Sequence, residues 1–422
     1  MTRLVSRRAG ASPAPSDRLA ANTAWMCARS ALRLVLHAAY FVAVARGLGA
    51  AGYGEFIAVA ALAAMLAPFG GVGAGNLLIR DVSREPAAMV ETWSRALVTT
   101  ALSGLLLTAA LLAIAAWTLA ETPLLLVLLV GVADLVFGQF ADICGKAFQA
   151  EQRLDLTAGL DTLLSAAKLV AALGLCGLVA TPTPLAWAGF YAAANVLAAV
   201  VGVGLVSARH RGLLLKFSVS LRAVREGLYF ALSQWAQAVQ RDIDKMLMVR
   251  LAGPQMGGLY AAASRVVEMA FTPVYALLAS TYPGFFRHGT SGLQGTIAFA
   301  RPLVLVGGLY GLAAGLVLAV TAPVLPLVLG EGFEGAVEAV QWLALLPLLR
   351  ALHYVAGDVL TGAGFQRLRT GLQIGVGAAG IMLAVWAIPL YSWRGAAGAA
   401  VASNALLAGA SWTAIAMLRR RS

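Results

Sequence analysis

Long apolar runs follow one another along almost the whole chain. Cut where charged residues, Pro and Gly cluster, they have roughly the twenty residues that a helix needs to cross a bilayer. The runs lack period-two alternation and are too long for strands. The pattern therefore predicts an all-α polytopic membrane protein of about twelve transmembrane helices. These lie near 20–46, 54–79, 93–117, 123–145, 156–180, 184–207, 226–251, 254–282, 299–322, 335–360, 370–390 and 394–418.

Composition excludes a soluble protein. Hydrophobic residues make up 60% of the chain and charged residues 12%, with a mean hydropathy of +0.82. Soluble globular domains carry about 25% charged residues, and no segment of this chain is polar enough to be one. The 45 glycines suit membrane helices that pack closely.

The distribution of basic residues predicts the orientation. With the N-terminus in the cytoplasm, cytoplasmic segments hold 21 of the 31 Lys and Arg residues, the opposite side holds three, and seven lie within helices. Such an excess marks the cytoplasmic side. Both termini are thus expected in the cytoplasm, with residues 1–19 as a disordered basic tail, and the bacterial inner membrane as the location. Topology and anionic lipid headgroups account for the net charge of +12, so no nucleic-acid partner is expected.

The chain repeats itself at an offset of 204 residues. In the junctions 46–56 and 250–260, Arg, two Gly and an aromatic residue coincide, and Pro68 and Pro273 fall within one position of equivalence. Both junctions join the first and second helices of a half. The repeat predicts two six-helix bundles, 20–215 and 216–422, around a central cavity, with helices 1, 2, 7 and 8 lining the cleft.

The first helix of each half carries a polar stripe. Each cation at mid-membrane costs about 2.5–3.5 kcal/mol on insertion scales, so these stripes are expected to face the cavity. The residues are spaced mostly three or four positions apart and therefore share one helix face. They are Asn22, Arg29, Arg33, His37 and Tyr40 in helix 1, and Gln234, Gln237, Arg241, Asp244 and Lys245 in helix 7.

Ion pairing within the protein is an alternative role for these charges. Arg265 and Glu268 are spaced for a helical pair, and pairing is favoured for Lys168 with acids of helices 4 and 5. Asp242 and Asp244 could neutralise their basic neighbours in helix 7. Helix 1 has no acid, so its two arginines need a partner from elsewhere. For Arg350, beside His353 in helix 10, both roles stay open.

Several short motifs mark a family resemblance. The junction 48–56, Leu-Gly-Ala-Ala-Gly-Tyr-Gly-Glu-Phe, resembles a signature after helix 1 of bacterial polysaccharide flippases of the Wzx type. The run 243–247, Ile-Asp-Lys-Met-Leu, is similar to a run in their seventh helix, as are 258–263 and the Tyr282-Pro283 pair to motifs further along. The resemblance covers residues 20–418 and extends to the multidrug/oligosaccharidyl-lipid/polysaccharide exporter superfamily.

The resemblance implies export of a polyprenyl-diphosphate-linked oligosaccharide by alternating access. Arginine offers a planar fork for diphosphate oxygens, and amides suit sugar hydroxyls. Expected partners are this substrate, membrane lipids and the polysaccharide assembly machinery. The candidate substrate-binding residues are Arg29, Arg33, His37, Gln234, Gln237, Arg241, Lys245 and Arg350, and the candidates for ion coupling are Asp244 and Glu268.

Three other functions are alternatives to export of a lipid-linked glycan. A multidrug/cation antiporter would be expected to place carboxylates in helix 1, and peptidoglycan-precursor flippases usually carry two further helices. A polysaccharide polymerase or ligase usually has a large catalytic outer loop, whereas the outer connection 321–334 offers only Glu331 and Glu334. No catalytic, metal or cofactor motif is recognisable in the sequence, so an enzyme is not expected.

The charge distribution yields a topology prediction. Both termini and the 208–225 loop should react with reagents only from the cytoplasmic side, and the 321–334 connection only from the outside. Reporter fusions and labelling of single cysteines would measure this. A cytoplasmic 321–334 connection would contradict the helix count.

Overall fold

The computed structural model describes residues 15–210 and 221–421, with side chains described from residue 32 except at 221–226, 229, 230, 233, 236 and 421. All regular elements in these ranges are helical, which confirms the all-α polytopic fold. Most of the predicted tail, 1–14, and the predicted boundary between the halves, at 215–216, lie outside the described residues. The first helix begins at Pro15, within the predicted tail.

The first long helix, Pro15–Leu66, folds back on itself at Gly49. The rings of Phe41 and Tyr53 are 5.8 Å apart, although a straight helix would separate them by about 18 Å. Gly49 has φ 66° and ψ 177°, a conformation that is essentially restricted to glycine. The two arms are named α1 (15–48) and α2 (50–84).

A second hairpin divides the helix Leu221–Gly289 at Gly253, which has φ 87° and ψ 164°. The hydroxyl of Tyr260 donates to Asp244 Oδ2 over 2.7 Å, across sixteen residues that a straight helix would extend over about 24 Å. The arms are named α7 (221–252) and α8 (254–289). Since Gly253 follows Gly49 by 204 residues, the hairpins fall where the sequence repeat placed equivalent junctions.

Eight further helices complete the chain. Between α2 and α7 lie α3 to α6, and after α8 come α9 to α12. Their bounds are α3 Met89–Thr118; α4 Leu124–Gly131, Val132–Phe137 and Gly138–Ala150; α5 Leu154–Leu178; α6 Pro184–Arg209; α9 Gly292–Thr321; α10 Gly335–Leu343 and Leu346–Gly362; α11 Gln366–Tyr391; and α12 Trp393–Arg421.

Not every arm is apolar enough to cross a membrane by itself. Eight described helices are long and apolar enough to cross a membrane, and the bent pair Glu331–Leu343 and Leu346–Gly362 forms a ninth candidate span. One of the eight, Leu32–Arg84, contains the Gly49 hairpin and therefore two arms. The polar hairpin Leu221–Gly289 is not among the nine and adds two more. With each arm counted separately, the described chain has the twelve helices that the sequence predicts.

The two hairpins cross each other at a pair of glycines. A Cβ atom added to Gly54 would overlap the carbonyl oxygen of Pro254, and one added to Gly258 would overlap that of Ala50. These contacts are equivalent under the 204-residue offset, so α2 and α8 meet about a pseudo-two-fold axis. Backbones touch here because neither position carries a side chain.

The hydrophobic cores show how the halves are joined. Near the hairpins, one core combines residues of both halves, among them Phe56, Leu126, Leu259 and Phe333. At the opposite end each half has its own core, one around Phe148 and one around Phe285. The halves therefore share one core at the hairpin end, where Gly49 and Gly253 lie, and have separate cores at the other end, called here the open end.

A short segment between α9 and α10 lies over the hairpin end. It consists of the helical turns Ala322–Val324, Leu325–Leu329 and Glu331–Phe333, where the sequence analysis placed only a connection. Phe333 is 0% exposed, and its ring lies 6.4 Å from that of Tyr53 in the other half.

The halves differ at the open end. In α2 the helix is interrupted by the 3₁₀ segment Ala67–Gly73, whereas α8 continues through Pro273 without such a break. The interruption brings Val72 and Gly73 against Gly227 of α7. A Cβ on Gly73 would overlap the backbone of Gly227, and one on Gly227 would overlap the carbonyl oxygen of Val72. The α2–α7 side is thus in contact at the open end.

The glycine crossing yields a stability prediction. Gly258→Ala should lower the free energy of unfolding by about 1–3 kcal/mol, because the added methyl group overpacks a backbone contact. The measurement is thermal unfolding in detergent micelles. Gly177→Ala is the matched control: its Cβ would meet nothing within 4 Å, so its stability should stay level or rise. Equal midpoints for both variants would contradict the proposed close packing.

Candidate functional site

The polar stripe of α1 faces α5. Arg33 Nη1 lies 3.1 Å from Asp161 Oδ2, and one turn further His37 Nε2 lies 3.2 Å from Ser165 Oγ. Both members of the ion pair are about half exposed, at 54% and 53%. Arg33 thus finds the partner from another helix that the sequence requires. The side chain of Arg29 lies outside the described residues.

A second polar chain connects α4, α5 and α6. Lys168 Nζ donates to the Tyr191 hydroxyl over 3.1 Å, and that hydroxyl donates to Asp134 Oδ1 over 2.6 Å. Asp134 lies in the π-helical segment Val132–Phe137, a local widening of the helix that often accompanies functional sites. Lys168 is therefore neutralised through a tyrosine rather than by direct contact with a carboxylate.

Lys245 of α7 is enclosed by acids. Its Nζ lies 3.2 Å from Asp242, 3.3 Å from Glu268 and 3.8 Å from Asp244, and the residue is only 8% exposed. Arg265 Nη1 lies 3.7 Å from the other oxygen of Glu268. The two candidates for ion coupling, Asp244 and Glu268, are therefore both engaged with a buried cation. This arrangement favours a structural role for Lys245.

Arg350 of α10 is in a different position. Within the part of the chain that the structure describes, no carboxylate lies at salt-bridge distance from it, and its charge acts on Glu268 and Tyr260 from further away. His353, one turn along, stacks on Tyr354 with ring centroids 4.7 Å apart. Arg350 is partly exposed, so among the described residues it combines access with the lack of a carboxylate at salt-bridge distance.

Cations from both halves lie near His37. The charges of Arg33 and Lys168 from the N-terminal half, and of Arg265 from α8, all act on its ring. The polar faces of α1, α5 and α8 therefore converge. The region in which they meet, together with the charged groups of α7 and α10, is named here the central chamber.

A cavity of about 380 Å³ adjoins the chamber between α2, α4 and α7. Three of the predicted residues, Gln234, Gln237 and Arg241, line it from α7. Arg241 Nε also pairs with Asp242 at 3.0 Å. The N-terminal half contributes polar groups that are not among the predicted site residues: Asn76, Gln139, Asp142 and Lys146.

One of these missed residues had a signal in the sequence. Lys146 precedes Arg350 by 204 residues, the offset of the repeat. In the structure it pairs with Asp142 at 2.6 Å, one helical turn away. The amides of Asn76 and Gln139 had no such signal, because isolated amides in apolar helices are common. Four amide side chains and three charged ones give this cavity the hydrogen-bonding capacity that hydroxyl-rich ligands require.

Solved membrane transporters share this architecture. The chain matches a multidrug resistance MATE family transporter of the MOP superfamily in an inward-facing conformation, with a TM-score of 0.74, 16% identity, and 93% and 99% of the two chains covered. An outward-facing transporter with the same description matches with a TM-score of 0.60, 15% identity, and 94% and 96% covered. A MOP superfamily transporter from Pyrococcus furiosus matches with a TM-score of 0.62, 15% identity and 92% of each chain covered.

The fold and the polar chamber define a polytopic membrane transporter of the MOP type. The family described as "Polysaccharide biosynthesis protein" matches residues 19–288, well over half of the sequence. The chain belongs to this family, which confirms the exporter superfamily suggested by the sequence motifs. No curated protein matches the sequence.

The different environments of Lys245 in α7 and Arg350 in α10 yield a stability prediction. Lys245→Met should lower the free energy of unfolding by about 3–5 kcal/mol, because it leaves three carboxylates without their shared cation. Adding Glu268→Gln should recover part of this loss. Arg350→Met should cost less than about 1 kcal/mol, since no carboxylate depends on it closely. Thermal unfolding in detergent would measure all three, and equal losses for Lys245→Met and Arg350→Met would contradict the distinction.

Proposed function

We propose that the protein moves a polyprenyl-diphosphate-linked oligosaccharide across the membrane by alternating access. Its family and fold make it a membrane exporter. The observation that carries the finer proposal is the polar content of the space between the halves. Arg350, without a carboxylate at salt-bridge distance among the described residues, acts on Tyr354 together with Arg241, and Arg241 lines a cavity rich in amides. An anionic headgroup with sugars attached requires both kinds of group.

Arginines are proposed to bind the diphosphate. Arg350 is the main candidate because within the described residues it has no close carboxylate. Arg33 is the second, since its pair with Asp161 is half exposed and can exchange for a phosphate oxygen. Guanidinium groups bind two phosphate oxygens in one plane, which ammonium groups cannot do. Arg29, on the same face of α1, would extend this set.

The amide-lined cavity is proposed to bind sugar. Gln234 and Gln237 from one half and Asn76 and Gln139 from the other both donate and accept hydrogen bonds. The polyprenyl chain would remain in lipid beside the protein. Because the cavity is built from both halves, movement of one half against the other would change its shape, as alternating access requires.

We infer that the open end faces the cytoplasm of a bacterial inner membrane. The basic residues of the connecting segments crowd that end, as the positive-inside rule requires. An inside-negative potential would favour outward movement of the anion by about 2.3 kcal/mol per charge per 100 mV. Membrane lipids and polysaccharide assembly proteins are the proposed partners.

Asp244 and Glu268 remain the candidates for ion coupling. Glu268 is shared between Lys245 and Arg265, so protonation or binding of a cation there would have to displace one of these contacts. Coupling at this site would thereby loosen α7 from α8. A drug/cation antiporter, suggested by the multidrug resistance transporters that share this fold, is less consistent with a chamber in which Arg350 has no carboxylate at salt-bridge distance among the described residues.

Replacement of Arg350 by Gln should sharply reduce glycan display at the cell surface, because a cation for the diphosphate is lost. Arg350→Lys should restore only part of the activity. The Arg29→Gln, Arg33→Gln double variant should show a similar loss. Each variant would be expressed in a strain that lacks the native gene, with surface glycan and the protein's membrane level measured together.

Arg394→Gln is the matched control. Arg394 lies in the first turn of α12, near the hairpin end, and pairs with Glu338 at 2.9 Å. Its loss should leave display unchanged. Normal display by well-expressed Arg350→Gln and Arg29→Gln, Arg33→Gln variants would show that these arginines do not bind substrate.

A further inference from the structure

The exposed face of α8 toward the open end has an unusual composition for a membrane helix. Between residues 272 and 286 its exposed positions are two Tyr, one Phe, two Pro, two Ala, a Thr and a Ser, with no Leu, Ile, Val or Met. This surface is named here the α8 aromatic face. It combines large flat rings with hydroxyl groups and small residues.

Faces that suit contact with lipid look different in the same protein. In α9 the exposed positions between 305 and 320 are four Leu, three Val, Tyr310 and Ala313. In α3 the exposed positions between 102 and 117 include three Leu, Ile114 and Trp117. Aliphatic side chains are what hydrocarbon selects, and α8 lacks them where it is exposed. The α8 aromatic face therefore does not have the composition of a lipid-facing surface.

The face continues the central chamber. Positions 265, 268, 272, 275, 279, 282 and 286 alternate spacings of three and four and so form one stripe along α8. The stripe begins with Arg265 and Glu268, whose charges would be excluded from lipid. A helix face that begins in the chamber and runs to the open end forms a wall of the cleft between the halves.

The aromatic rings on this face are held by neighbours but remain accessible. Tyr275, Tyr282 and Phe286 are 54%, 36% and 49% exposed. The ring of Tyr275 meets Tyr354 edge-on at 6.1 Å, and the rings of Tyr282 and Phe286 are perpendicular at 5.1 Å. From Tyr275 to Phe286 the helix rises about 16 Å, enough to contact more than one sugar ring.

We propose that the α8 aromatic face binds the sugar rings of the glycan beyond the one nearest the diphosphate. This inference rests on the proposed function. Pyranose rings present flat C–H faces edged by hydroxyls, and an aromatic ring can pack against the former while tyrosine hydroxyls bond to the latter. Such contacts depend little on the identity of the sugar and would let successive units move along the helix.

Binding to the purified protein in nanodiscs tests this proposal. Two probes are compared: the lipid-linked oligosaccharide that accumulates in a strain lacking the gene, and polyprenyl diphosphate without sugar. The Tyr275→Leu, Tyr282→Leu double variant should bind the oligosaccharide about tenfold more weakly and polyprenyl diphosphate as the wild type does. Intrinsic tryptophan fluorescence or calorimetry would report both affinities.

Matched variants make the result specific to the rings. Tyr275→Phe, Tyr282→Phe retains the rings and should keep oligosaccharide affinity within about threefold. Trp117→Leu, on the exposed face of α3, should change neither affinity. An equal loss for both probes in the Leu variant, no loss for either, or an equal loss in the Phe and Leu variants would each overturn the proposal. Wild-type protein that binds neither probe would instead contradict the proposed function, and this inference with it.

Discussion

The backbone contact between Gly54 and Gly258 determines how the two halves can be arranged. It joins α2 to α8 at the hairpin end, where both polypeptide reversals lie, and lets one hydrophobic core extend across both halves. At the other end the cores are separate, so a cleft exists because the shared packing stops. The polar groups of α1 and α7 then face this cleft, since the shared core admits only apolar side chains. Fold and site are consequences of the same asymmetric packing.

Within the cleft the charges are close to balanced, and this limits which of them can bind an anion. Lys245 forms ion pairs with three acids, and Lys168 is connected to Asp134 by hydrogen bonds through the Tyr191 hydroxyl. Buried cations of this kind hold helices together, and removing their partners is costly. Arg33 and Arg350 are the more available cations among the described residues, one because its pair is solvated and the other because no carboxylate is close.

The sequence predicted the features that depend on local patterns. Apolar runs predicted the helices. The shared Arg-Gly-Gly-aromatic motif identified Gly49 and Gly253 as equivalent positions, and the structure shows that the chain reverses at both. Contacts between segments that are distant in sequence could not be predicted from these local patterns. Nothing in the sequence pairs Arg33 with Asp161, 128 residues away, or brings Gln139 to Gln234. The interruption of α2 at Ala67–Gly73 was missed as well, because Pro68 and Pro273 look alike although only the first accompanies a break.

The burial of Phe333 against the other half has a consequence for the resting state. Full burial of such a side chain is worth about 1.5–3 kcal/mol, and a movement that parts the halves at the hairpin end would expose it. Under the proposed alternating-access mechanism, that single contact would bias the equilibrium between two access states roughly ten- to hundredfold toward the one described here. Without bound substrate, most molecules would therefore have the cleft accessible from the open end. In the proposed mechanism the empty transporter would return to this state spontaneously, and energy from substrate or ion would be needed for the outward step.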